Sequence, residues 1–507
     1  MPQRICTNYG KCALAESHED FSHEKKSMTH CPLCDKKLSE VVPPSRRIAG
    51  KIAFAVGTAA LLFLLFGVAV GKRWINAPQK ATAAELKEAP KAILRLADSN
   101  TMQDSLGPAL AEAFLKAQGA TDVQILPGAD PQEKTVQGIL PGDGIPSAIT
   151  IAAHGSATAF TALADNTCDI GMAARKIKPD EAAKLAPAGG YRAAASEHVV
   201  GLDGIAVIVN ASNPLKELRK ETIRQIFTGS ISDWSKIGSS HGAIQIYARD
   251  DQSAISDTFR TLVLAGAPMA ASVRRFGDSD ALSQAVSSDP NGIGFVSLPF
   301  IHSAKSIAIS DRGADALKPT RLTVATEEYP LSRRLYLYTP ATTHNTFTQK
   351  FVEFALSRQG QEVVAANGFV AQSVARESQT VSAVAPDEYQ ELTKNAQRLS
   401  VDFRFDSGDL DQNPKVQQDL DRVVSLVADQ GGARNHILLF GFTDDTGTPE
   451  GSEAASLSRA KLVERQFIQR GIKPAVVQGF GSDLPVASND TPEGREKNRR
   501  VEVWIQK

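Results

Sequence analysis

From Ile52 to Gly71 the chain reads IAFAVGTAALLFLLFGVAVG, without one charged side chain. At about 1.5 Å of rise per residue, a helix of this length spans roughly 30 Å, the thickness of a bilayer's hydrocarbon core. Arg46, Arg47 and Lys51 precede the run, and Lys72, Arg73 and Trp74 follow it. A secretory signal fits poorly, because the run is long, starts far from Met1 and lacks an A-x-A cleavage pattern. A core helix so uniformly apolar is uncommon. The run is therefore expected to be one transmembrane helix, over 48–71, with chain on both sides of the membrane.

Basic residues on both flanks leave the orientation undecided by charge. The cysteines decide it. Cys6, Cys12, Cys31 and Cys34 all precede the apolar run, and Cys168 stands alone after it. Thiols paired at metal-ligand spacing belong where they stay reduced, which places residues 1–45 in the cytosol and the bulk of the chain outside. Four thiolates can surround one Zn²⁺ tetrahedrally, and a segment too short for a core would draw its folding energy from the metal. Residues 1–45 thus resemble a small zinc ribbon, with a structural Zn site at Cys6, Cys12, Cys31 and Cys34. His18, His23 and His30 are rival ligands, and a redox pair or an unstructured tail is the alternative reading.

The chain has 507 residues, too many for one ordinary domain. A formal net charge of -1 gives no basic footprint for a nucleic-acid partner. Residues 72–91, rich in Ala, Pro and Lys, read as a tether. From Ala92 short apolar strands alternate with helical stretches, which predicts an α/β architecture. Three loops repeat one arrangement of strand, small polar turn and helix: Asp98–Thr101, His154–Thr158 and Arg249–Ser253. A helix N-terminus presents unpaired N–H groups, and an arginine adds bidentate contact, so three such loops converging would hold an oxyanion. Any one of them alone is an ordinary helix cap.

The successive stretches HGSATAFTALADNTCDIGMAARKI, GLDGIAVIVNASNP, LRKETIRQIFTGSISDWSKIG, IYARDDQSAISDTFRTLV and DPNGIGFVSLP resemble the periplasmic phosphate-binding proteins of ABC-type transporters. The resemblance implies a two-lobed solute-binding domain of the type II periplasmic-binding-protein kind over 92–375, closing on a small oxyanion with phosphate as the leading candidate. It implies ligand contacts at Thr101, the backbone of Met102, Ser156, Arg249 and Ser253. The sequence departs from that pattern at Ala254-Ile255, where the family has Gly-Thr. It departs again at Ala174, where phosphate binders carry an acidic proton acceptor, with Arg175 following.

After a polar stretch read as a linker, 376–396, a second βα pattern fills 397–507. Gly441-Phe442-Thr443-Asp444-Asp445-Thr446-Gly447, then Leu457-Ser458-Arg459-Ala460, then Asn498-Arg499-Arg500-Val501 resemble the OmpA-like peptidoglycan-binding domain. The resemblance implies that Asp444 receives the ammonium and Arg459 the carboxylate of a diaminopimelate stem end, with Asn498 bonding the peptide. Phe442 stands where the motif has His, and Ser452 where Asn is frequent.

The sequence as a whole predicts a single-pass inner-membrane protein whose outer part binds an oxyanion and holds peptidoglycan. The alternative is an envelope sensor or scaffold with a degenerate solute site. No nucleophile elbow, H-E-x-x-H or P-loop is present, so an enzyme is not expected. No residue pattern names a transporter partner.

Overall fold

The computed structural model describes residues 3–5, 39–41, 90–98, 102, 105–128, 130, 133–142, 144–153, 156–185, 191, 193–239, 242–251, 253–379, 381–405, 413–429 and 436–506. The four N-terminal cysteines, the apolar run 48–71, Thr101, His154 and Gly155 lie outside them. The chain divides into two units, Met1–Lys87 and Glu88–Lys507. In the first, Gln3–Ile5 pairs antiparallel with Ser39–Val41. Among the described residues no helix is long and apolar enough to cross a membrane.

The second unit opens with β1 (Lys91–Asp98), α1 (Leu106–Ala117), the hairpin β2 (Thr121–Pro127) and β3 (Glu133–Ile139), then β4 (Pro146–Ala153), α2 (Ser156–Ala164) and β5 (Ile170–Ala173). Next come β6 (Glu197–Val209), α3 (Lys220–Phe227), β7 (Gln245–Arg249), α4 (Ala254–Leu262), β8 (Arg274–Phe276), α5 (Ser279–Ser288) and β9 (Gly292–Ser297). The chain returns through α6 (Arg321–Ala325), β10 (Ser332–Tyr338), α7 (Thr346–Leu356) and α8 (Arg358–Ala366). One mixed sheet links these strands in the order β8-β7-β9-β6-β10-β5-β1-β4-β3-β2.

Two cores divide this sheet into lobes. In α1 the residues Leu106, Leu110, Ala111, Phe114 and Leu115 recur at helical spacing, so one face is apolar and buried. Phe114 meets Phe351 and Phe354 of α7 edge-on, at 5.3 and 5.8 Å between centroids. The second core centres on Phe227, Phe259 and Phe295, with Phe259 stacked on Phe295 at 3.9 Å. β6 runs through both, with Val200 in the first core and Leu202, Ile205, Val207 and Val209 in the second; β10 leads from Leu331 of the second core to Leu335 and Leu337 of the first. Their antiparallel register shifts between Leu335 and Tyr336. These two strands, with the Leu202–Val370 bridge beside them, join the lobes.

The C-terminal domain contains β11 (Arg376–Glu377), α9 (Asp387–Thr393), β12 (Ala396–Arg404), α10 (Pro414–Asp429), β13 (Ile437–Gly441), α11 (Pro449–Gln469), β14 (Val476–Gly479), α12 (Pro492–Asn498) and β15 (Arg500–Gln506). Its sheet order is β11-β12-β15-β13-β14. Residues 376–396, expected as a linker, are instead part of this domain. β11 is an edge strand on β12, and α9 inserts Tyr389 among Phe440, Phe442, Phe480 and Trp504. α11 starts at Pro449, because Thr448 caps it by accepting from Gly451 N and proline suits the first turn.

Candidate functional site

The anion-site residues sit where strands end and helices begin. Ser156 is the first residue of α2, and its Oγ accepts from Ala174 N at 3.3 Å, tying that loop to the end of β5. Ser253 caps α4, its Oγ accepting from Ser256 N at 3.3 Å, while Ser256 Oγ donates to Arg249 O at 3.0 Å. Met102, next to the first loop, and Ala254, next to the third, are buried in one core with Ala174, whose N–H bonds Ser156 of the second. Arg249 ends β7 at 6 % exposure, and its guanidinium donates to Ser279 Oγ at 2.7 Å and Gly277 O at 2.6 Å. Those bonds aim it at the start of α5. Met102, Ser156, Arg249 and Ser253 thus stand at or beside the strand–helix loops, with Arg249 turned towards the start of α5; Thr101 is outside the described residues.

Arg175, beside the missing acidic residue, turns onto its own lobe. It grips Glu181 with two bonds, at 2.8 and 2.6 Å, and its guanidinium lies 5.0 Å from the Phe160 ring centre. Burial raises the Glu181 carboxyl, but the Arg175 hydrogen bonds, the Lys178 N–H and the two positive charges together bring its pKa below the ordinary value.

In the C-terminal domain, Asp444 lies in the turn after β13. Thr446 Oγ1 donates to its Oδ1 at 2.5 Å, and Arg499 Nη1 to its Oδ2 at 2.9 Å. Burial raises the Asp444 carboxyl, but these bonds hold it below the usual range. Arg459, on α11, donates to Thr443 Oγ1 at 2.7 Å, so the two predicted residues attach to neighbouring positions of one turn. Close packing of α11 on the sheet explains the motif glycines. A Cβ on Gly441 would lie 2.0 Å from Ser456 O, and one on Gly479 would lie 2.5 Å from Leu457 N.

Asn498 does not have the expected role. It is wholly buried; its Oδ1 accepts from Val486 N and Ala487 N, and its Nδ2 donates to Ala487 O and Asn489 Oδ1. Its hydrogen-bonding capacity is spent on shaping the 486–489 loop. Phe442, in the motif His position, is also fully buried, with the Arg500 guanidinium 4.0 Å from its ring centre. The residue that sequence reasoning missed is Arg499. Its place after Asn498 in the motif was visible, but only the fold shows it reaching back to Asp444.

Residues 99–359 match the family described as a PBP superfamily domain, and residues 402–499 match the OmpA family. A phosphate-binding protein PstS of Pseudomonas aeruginosa is 28% identical over 239 residues, covering 44% of this chain and 73% of the relative. The Bacillus subtilis PstS is 24% identical over 309 residues, 61% of this chain and 90% of the relative. The crystal structure of an ABC-type phosphate transport receptor from Vibrio cholerae matches with a TM-score of 0.43 and 19% identity, covering 55% of this chain and 99% of that one.

Proposed function

Because the chain belongs to the PBP superfamily through residues 99–359, we propose that it is a membrane-held solute binder that captures a small oxyanion, phosphate first among them, and grips peptidoglycan. Thr101, Met102, Ser156, Arg249 and Ser253 contact the anion. One observation carries the reading: Met102 and Ala254, beside the first and third loops, share a core with Ala174, whose N–H bonds Ser156 of the second. The relatives named as phosphate-binding proteins support phosphate as the ligand. A binder, rather than a catalyst, is the matching activity class.

The C-terminal OmpA-family domain binds the stem end through Asp444 and Arg459 in this reading. The apolar run Ile52–Gly71 anchors the chain in the inner membrane, with the later domains periplasmic. Cys6, Cys12, Cys31 and Cys34 hold a structural Zn²⁺; the pairing of Gln3–Ile5 with Ser39–Val41 closes the segment that carries them, which supports a folded metal module. Calorimetric titration of the full chain with inorganic phosphate and with sulfate tests the central claim. Binding should be saturable and should weaken strongly in Arg249→Ala. Absence of heat with either anion at millimolar concentration leaves the domain a scaffold.

A further inference from the structure

β6 and β10 join the two lobes and are the strands about which they would hinge; the C-terminal domain bonds the turn before β10 and, through Gln372, β6. At β10, Arg334 lies next to the register shift, and Glu327 grips it with two bonds, at 2.5 and 2.9 Å. Glu327 holds a left-handed backbone, φ 60°, which a side chain adopts only when its surroundings impose it. Immediately before it, Thr326 O accepts from Arg404 Nη2 at 2.5 Å, and the same guanidinium donates to Lys497 O. Lys497 Nζ in turn donates to Tyr329 O and Pro330 O, at 3.2 and 3.3 Å. The turn leading into β10 is therefore pinned along its length by residues of β12 and α12. At β6, Gln372 Nε2 donates to Val199 O while its Oε1 accepts from Arg422 of α10 at 3.1 Å. Between these points lies a cavity of about 290 Å³ whose wall takes Lys176 from the first lobe, Arg334 and Tyr336 from β10, and Lys415 and Asp419 from α10.

We propose that the C-terminal domain is a clamp on the hinge: docked, it holds β6 and β10 in the arrangement seen here, and undocking loosens them and shifts the open–closed balance of the solute cleft. A rigid body pinned to the turn before β10 and, through Gln372, to β6 must be released, or must move, whenever the relative geometry of these strands changes. By reciprocity, whatever loads the C-terminal domain then acts on the cleft. The clamp needs no particular solute, so it stands or falls apart from the anion reading.

Amide hydrogen exchange on the full chain tests it without ligand. In Arg404→Met, exchange in β6, β10 and the 326–331 turn should rise about tenfold or more, with α1 unchanged as the sign of an intact first lobe. Wild-type rates in β6 and β10 of a folded Arg404→Met variant overturn the proposal. Should α1 lose protection as well, Lys497→Met is read by the same criterion. The wild type in stepwise urea decides where neither variant folds. A hinge still protected after β12 has opened overturns the clamp, and loss of both together supports it.

Discussion

Arg398 of β12 crosses from the C-terminal domain to bond Glu328 of the solute-binding domain at 2.7 Å, with side-chain exposures of 1% and 4%. The same guanidinium meets Asp402 at 2.8 Å, and Arg500 lies 3.7 Å from Glu328. Removing one member of so deeply buried a cluster strands the rest. Glu328→Ala should therefore destabilise the chain by about 3–5 kcal/mol in urea denaturation. A single variant as stable as wild type would show that the junction is open in solution.

Lys497 gives the junction a pH signature. Burial, with Arg404 nearby, lowers its ammonium from 10.5 to about 7. Between these values the unfolded chain holds a proton that the folded chain has released. Stability through this group therefore rises with pH from about 7 towards 10.5 and is level below 7. The stability difference between wild type and Lys497→Met should shift in favour of wild type as pH rises across that window. Parallel curves for the two proteins would mean that the amine stays charged.

Most of the strand–helix order was legible because short apolar strands alternate with helical stretches from Ala92 onward. What escaped is what long-range contact creates. α9 carries few apolar residues, so nothing in 376–396 shows that Tyr389 will be surrounded by four aromatic rings. Asn498 looks the same in a motif whether it faces a ligand or a loop. Asp444 and Arg459 were legible because their motif is specific; the Arg499 bond to Asp444 needed the turn between α12 and β15.

Tyr389 makes the misread segment testable. It is 3% exposed, and its hydroxyl donates to Glu502 Oε2 at 2.7 Å. Deleting a large buried aromatic ring typically costs about 3–5 kcal/mol through lost contacts and the cavity left behind. Tyr389→Ala should lose stability on that scale by urea denaturation. A loss below about 1 kcal/mol, the scale of a surface substitution, would return residues 376–396 to the status of a tether.

The wall-binding site makes the last prediction, and it separates ligand contacts from loop architecture. Asp444 and Arg459 are attached to one turn, each with capacity left for a partner, so a stem end can place its ammonium at one and its carboxylate at the other. Losing one partner of a desolvated charge pair costs about 2–5 kcal/mol, enough to abolish a modest affinity. Full chain carrying Asp444→Ala or Arg459→Ala should stay in the supernatant when purified sacculi are sedimented, while wild type pellets. Asn498→Ala should behave differently. It strands the backbone groups of Val486 and Ala487, each worth about 1–3 kcal/mol when left unsatisfied, so its main effect is a lower unfolding midpoint. An Asn498→Ala protein of wild-type stability that no longer pellets would restore Asn498 as a ligand contact. Folded Asp444→Ala and Arg459→Ala proteins that pellet like wild type would place the wall-binding surface elsewhere.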